Sequence, residues 1–344
     1  MGTHEILTRG RIGLVAAFLM AMLSGEVAAA ETAVRVILDT KFQGPAAPFL
    51  IGIDKGYYKT EGLAITIDGA AEMNEAITRV AAGDYDIGLA DINLLIKYRD
   101  QNPHTPVKAV FMVYNKPTYA IVGRKSRGIT KPKDLEGKKL GAPATDVSYS
   151  QWKIFAKAND IDTSKVTIEN VGLPVREPLL QNGQVDAVTG NSYSIVPNLK
   201  FMGLQADDVV LLLMADYGVK LYGKAIIVNP KFAAEKAEAV RSFLQALTRG
   251  LKETARAPQI AVESVLRRND ALLKDVELER LRMVLHDNIL TPEVKMFGYG
   301  GIDYARLDES IEQIAIAYEF KAKPKGVDIF DASFLPTSAS RKTH

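Results

Sequence analysis

From Val34 onward the chain alternates short runs of Val, Ile, Leu and Ala with segments whose apolar residues recur every three or four positions. The short runs predict strands at 34–38, 64–67, 87–90, 107–113, 119–123, 139–141, 166–170, 186–189, 209–214 and 224–228. The helical period predicts helices between them, at 73–82, 92–101, 149–158, 175–182 and 194–202. Strands separated by helices predict an α/β protein with mainly parallel sheets flanked by helices. After Asn229 the texture changes: 234–256, 260–268, 276–288 and 304–320 all have helical period.

Two segments are alike in kind. Ala82-Gly83-Asp84-Tyr85-Asp86-Ile87-Gly88 and Asn182-Gly183-Gln184-Val185-Asp186-Ala187-Val188 each end a helix at Gly and enter a strand through Asp. Gly supplies the left-handed position that closes a helix, and the strand behind it should be buried. The strand tips that follow, Ala90-Asp91 and Thr189-Gly190-Asn191, are then corresponding positions in two similar α/β units. Ligands of open parallel sheets collect outside the carboxyl ends of strands, so a shared cleft belongs there.

A length of 344 residues, 47% hydrophobic and 24% charged, fits about two ordinary globular domains. The absence of cysteine removes disulfides, thiolate metal sites and a cysteine nucleophile. Lys+Arg 43 against Asp+Glu 41 leaves +2, too balanced for a nucleic-acid partner. Arg9 and Arg11 precede an apolar run over 12–25 that ends in Val27-Ala28-Ala29-Ala30. The run is shorter than a membrane-spanning helix, and Ala28 and Ala30 fit an A-x-A cleavage site. Residues 1–30 therefore read as a signal peptide cleaved near Ala30, which places the mature chain in the periplasm.

An enzyme finds little support. His4 and His344 lie at the termini, and His104 and His286 have no metal partner at helical spacing. G-x-S-x-G, H-E-x-x-H and G-x-G-x-x-G are absent. The nearest approach to a phosphate loop, 218–225, places Ala225 at the hydroxyl position and leads into a strand. No catalytic residue, metal or cofactor is assigned.

Leu38-Asp39-Thr40-Lys41-Phe42-Gln43 and Ile53-Asp54-Lys55-Gly56-Tyr57-Tyr58-Lys59-Thr60-Glu61-Gly62-Leu63 resemble the opening of the NMT1-like periplasmic binding proteins for thiamine-pyrimidine precursors, sulfonates and taurine. Residues 82–88, Pro132-Lys133-Asp134-Leu135-Glu136-Gly137-Lys138-Lys139-Leu140-Gly141 and Gly183-Gln184-Val185-Asp186-Ala187 are similar to later landmarks of that family. The resemblance implies a two-lobed type II periplasmic-binding-protein fold, each lobe a mainly parallel sheet flanked by helices. It implies a receptor that closes on a small solute and delivers it to an ABC permease in the inner membrane; a monomer is the simplest expectation for such a chain. It also implies two crossings between lobes, near 123–127 and 217–224. Lobe 1 would then comprise 31–123 and 224–336, lobe 2 would comprise 124–223, and 337–344 would form a flexible tail. Members that bind the thiamine pyrimidine usually carry Trp where this chain has Thr40. The cysteine cluster of the related pyrimidine synthase is absent.

Strand tips and helix starts supply the candidate ligand-binding residues. On lobe 1 these are Phe42, Gln43, Pro45, Gly69, Ala70, Ala71, Asp91, Asn93, Tyr114 and Asn115; on lobe 2 they are Asp146, Ser148, Tyr149, Asn191, Tyr193, Asp216 and Tyr217. Asp91 and Asp146 have a second reading as helix caps, and Phe42 and Tyr114 as core residues. A sulfonate or nitrate site needs cationic donors, whereas these loops offer Asp, Asn, Gln and Tyr with only Lys41 and Lys116 as bases. The set favours a neutral or weakly polar, pyrimidine-like N-heterocycle over a sulfonate, taurine or nitrate.

Overall fold

A computed structural model describes residues 31–72 and 74–343. The expected signal peptide and the first residue of the helix expected at 73–82 lie outside the described residues. All ten expected strands are present: β1 (Thr32–Leu38), β2 (Leu63–Gly69), β3 (Ile87–Asp91), β4 (Lys108–Met112), β5 (Tyr119–Arg124), β6 (Lys139–Gly141), β7 (Thr167–Glu169), β8 (Ala187–Asn191), β9 (Val209–Leu213) and β10 (Lys224–Val228). They form two five-stranded sheets, ordered β2-β1-β3-β10-β4 and β7-β6-β8-β5-β9. The longer helices are α1 (Ala47–Asp54), α2 (Glu75–Ala82), α3 (Ile92–Gln101), α4 (Trp152–Ala158), α5 (Arg176–Gln181), α6 (Ser192–Phe201), α7 (Ala237–Arg256), α8 (Lys274–Val284) and α9 (Tyr304–Ile314).

Strand alternation builds the layers. In β10, Ala225 and Ile227 face α2, α3 and α9 through Ile77, Leu95 and Leu307, while Ile226 and Val228 face α1 and α7 through Phe49 and Leu247. In β5, Ile121 packs towards Phe155 of α4, and Ala120 and Val122 towards Leu180 and Ile195 of α5 and α6. Both sheets are thus covered on both faces, which is why their strands read as continuous apolar runs.

The paired Gly/Asp motifs perform the same task in each sheet. Gly83 (φ +84°) and Gly183 (φ +68°) take the left-handed conformation after α2 and α5. Asp86 accepts the backbone N–H of Arg35 at 2.8 Å and so fixes β1 beside β3. Asp186 accepts the backbone N–H of Lys139 at 2.9 Å and fixes β6 beside β8.

Three details differ from expectation. The sheets are mixed: β10 runs antiparallel to β3 and β4, and β5 antiparallel to β8 and β9. Each sheet takes in one strand that arrives from the other sheet, and that strand enters reversed. The first crossing also falls a strand earlier than 123–127, at 113–118, because β5 pairs only with strands of the second sheet. Finally, α1 is a helix that the periodicity does not announce. Residues Ala47 to Gly52 are buried on every side of it, so no polar face marks the turn.

Candidate functional site

The carboxyl ends of β1, β3 and β8 and the heads of β5 and β10 meet along the seam between the sheets. The registers Lys224↔Asp91 and Tyr119↔Asn191 bring these ends level. Asp39, the first residue after β1, is 3% exposed, and its Oδ2 lies 2.8 Å from Nζ of Lys224 at the head of β10. The rings of Tyr114, after β4, and Tyr193, in the first turn of α6, lie 5.5 and 5.6 Å from the same ammonium. The Lys224 Nζ also donates to the Tyr193 hydroxyl at 3.4 Å. Burial alone would pull the Lys224 ammonium down; the Asp39 carboxylate, helped by the two phenols, holds it above the usual lysine range.

The second group centres on Asp91. Its Oδ1 caps α3 by accepting the N–H groups of Asn93 at 2.8 Å and Leu94 at 3.3 Å, and its Oδ2 accepts the phenol of Tyr119 from the other sheet. Asn93 Nδ2 donates to Tyr119 Oη at 2.9 Å and to the Tyr222 carbonyl at 2.8 Å. Across the seam, Asp146 accepts the Ser148 N–H at 3.0 Å and the Thr189 hydroxyl at 2.7 Å. Burial raises the carboxyl groups of both Asp91 and Asp146, and hydrogen bonds from Tyr119 and Thr189 only partly offset it. Neither carboxylate is in an ion pair with a described residue. The buried oxygens Asp39 Oδ1, Asn93 Oδ1, Asn115 Oδ1 and Ser148 Oγ have no hydrogen-bond partner among the described residues. Arg176 Nε, a donor, is likewise without a partner, so the unpartnered groups near the seam are mostly acceptors, and leaving them so costs stability.

The other candidates are distributed as follows. Phe42, Gln43 and Pro45 form the half-buried loop leading to α1, with Phe42 packed against the core. Gly69 and Ala71 are exposed at the end of the edge strand β2, and Ala70 is buried. The Ala71 N–H donates to Glu75 at 2.8 Å, so this segment caps α2, which begins at Glu75. Asn115 donates to the Gly301 carbonyl at 3.4 Å. Asn191 accepts the Thr118 hydroxyl at 2.5 Å, and Tyr149 is half-buried beside α4. Tyr217 packs edge-on against Phe155, with ring centroids 6.3 Å apart, as part of the α4 core. Asp216 is exposed and pairs with Lys116 at 2.9 Å on the crossing segments.

Sequence reasoning omitted Asp39, Tyr119, Thr189 and Lys224. Lys224 carries a legible signal: a single charge heading the otherwise apolar run Ala225-Ile226-Ile227-Val228, a residue type buried only with a partner. No group of three His, Asp or Glu side chains suited to a metal occurs among the described residues, and no described helix is long and apolar enough to cross a membrane.

Known proteins place this architecture. The chain is 26% identical over 258 residues to the formylaminopyrimidine-binding protein of Halalkalibacterium halodurans, covering 73% of this chain and 76% of that one. It is 24% identical over 262 residues to the riboflavin-binding protein RibY of Chloroflexus aurantiacus, covering 75% and 72%. The crystal structure of the periplasmic aliphatic sulphonate binding protein SsuA from Escherichia coli matches with a TM-score of 0.68 at 14% identity, over 90% of this chain and 91% of that one. The fold is thus that of the periplasmic binding proteins. A family model described as NMT1/THI5 like matches residues 44–261, and the chain belongs to that family.

Proposed function

We propose that this protein is an exported solute receptor of an ABC importer, binding a small pyrimidine-like N-heterocycle at the seam between two hinged lobes and passing it unchanged to a membrane permease. One lobe would be built on each sheet, with 113–118 and 214–223 as the hinge segments. Residues 1–30 would direct export to the periplasm, where the receptor would act as a monomer.

The observation that carries this reading is the acceptor excess at the seam. The unpartnered Asp39 Oδ1, Asn93 Oδ1 and Asn115 Oδ1, beside the buried carboxyl groups of Asp91 and Asp146, call for a ligand that brings N–H donors, such as the exocyclic amine and ring nitrogens of an aminopyrimidine. Each buried cation nearby has a carboxylate partner, Lys224 with Asp39, Arg176 with Glu177 and Arg280 with Glu277, which leaves Arg176 Nε as the one buried guanidinium donor there without a partner among the described residues and disfavours a sulfonate. The rings of Tyr114 and Tyr193 are buried beside Lys224 and would be available to a ligand only as the seam opens. Affinity near micromolar, about −8 kcal/mol, is within reach of a few such bonds and one ring contact. Isothermal titration with formylaminopyrimidine, riboflavin and taurine tests it: a pyrimidine should bind without turnover, and binding of taurine alone would overturn the reading.

A further inference from the structure

Helix α8 belongs by its packing to the first sheet, since Leu281 and Val284 share a core with Phe49 and Leu50 of α1. It also lies against α6 of the second sheet. Two buried charged residues on its inner face, Glu277 (2% exposed) and Arg280 (7%), reach in opposite directions. Glu277 Oε2 accepts the backbone N–H of Gly44 at 2.6 Å, in the loop that carries Phe42, Gln43 and Pro45. Glu277 Oε1 accepts Nε of Arg280 at 3.1 Å. The Arg280 guanidinium then spends its remaining donors on α6: Nη1 on the Tyr193 carbonyl at 3.2 Å and Nη2 on Asn198 Oδ1 at 2.7 Å.

The sequence of α6 explains why a guanidinium is wanted there. Pro197 sits inside the helix, and proline has no N–H to give to the carbonyl four residues earlier, which is that of Tyr193. Arg280 supplies the missing donor from outside the helix. Asn198 extends the chain of bonds through Glu177 (3.1 Å) and Arg176 (2.7 Å) to the Thr189 carbonyl (3.3 Å), next to Asp146.

We infer that Glu277 and Arg280 are positioning residues for the ligand site: together they tie the 42–45 loop to the first turn of α6 and so hold the seam shut around its contents. The inference rests on the ligand lying at the seam, as proposed above, and it gives α8 a role in setting how long the ligand stays.

The natural absence of cysteine allows a clean test in the full-length mature protein. Spin labels at K59C and K153C, exposed positions on the two sheet units, report the separation of the units by pulsed electron resonance without any ligand. Arg280→Ala, and independently Asn198→Ala, should shift the distances outward. They should also speed dissociation of formylaminopyrimidine by about tenfold, as expected for losing charge-assisted bonds. Circular dichroism identifies folded variants, and Asn198→Ala decides the matter if Arg280→Ala does not fold. Unchanged distances in a folded variant would overturn the inference. An outward shift in a protein that binds no formylaminopyrimidine would support the tie and count only against the ligand reading.

Discussion

The phenol of Tyr119 donates to the carboxylate of Asp91 across the seam between the two sheets. Asp91 is the last residue of β3 and Tyr119 the first of β5, so the bond joins the tip of one sheet to the head of the strand that has just crossed to the other. Among the described residues it is the one side-chain hydroxyl bonded to Asp91, whose other partners are the amides of its own cap.

Tyr119→Phe removes that hydroxyl and leaves the ring. The variant should lose about 1–3 kcal/mol of stability, the cost of a buried polar group deprived of a partner. Because the phenol lowers the Asp91 carboxyl, its loss should also raise that group further. Urea unfolding and a carboxyl-carbon titration by NMR measure the two effects, and an unchanged midpoint with an unchanged titration would contradict the geometry.

Asp91 imposes a definite sign on pH dependence. Burial raises its carboxyl in the folded state above the unfolded value of about 3.8, so the folded protein holds the proton more tightly. The stabilisation is complete below the unfolded pKa and is lost as pH rises through the folded one. The substitution Asp91→Asn retains a side-chain oxygen for the cap but removes the charge. The stability difference, wild type minus Asp91→Asn, should therefore fall as pH increases from about 4, in thermal unfolding at constant ionic strength. A difference that grew with pH would mean that the carboxylate is stabilised where it sits.

The strands were legible because buried strands are apolar throughout and are punctuated by Gly-x-x-Asp turns whose aspartates do what their positions imply. Which sheet a strand joins was not legible. The runs at 107–113 and 119–123 are equally apolar, and only the pairing of β5 with β8 and β9 shows that Pro117 marks the crossing. Among the seam residues, Asp91, Asn93, Asp146 and Tyr193 were reached from the sequence by their places at strand tips and helix starts. Asp39 and Lys224 did not, since a buried ion pair between residues 185 positions apart leaves no periodicity, and Tyr119 reads as one more strand residue.

The Asp39 and Lys224 pair should behave as a unit. Lys224→Met strands a buried carboxylate and should cost about 3–5 kcal/mol, whereas adding Asp39→Asn should recover most of that loss. A double-mutant cycle in guanidinium measures the coupling. Two additive single effects would show that the 2.8 Å contact contributes nothing to the fold.

Gly44 supplies the most local prediction. A Cβ placed on it would sit 2.0 Å from the Glu277 carbonyl oxygen and 3.0 Å from its carbon, both backbone atoms that no rotamer change can move. The close approach exists because the Gly44 N–H must reach the Glu277 carboxylate. Gly44→Ala should therefore push the 42–45 loop away from α8, costing about 1–3 kcal/mol for the overpacking. The same displacement should weaken binding of any solute that touches Phe42 or Gln43. A variant at a half-buried glycine with open space where its Cβ would go, Gly56→Ala, serves as the control: its φ of +69° strains the backbone but no atom lies within 4 Å of the new Cβ. If Gly44→Ala lowers solute affinity and Gly56→Ala of similar thermal stability does not, the loop's seating on Glu277 is what the site requires; equal affinities would remove the loop from the site.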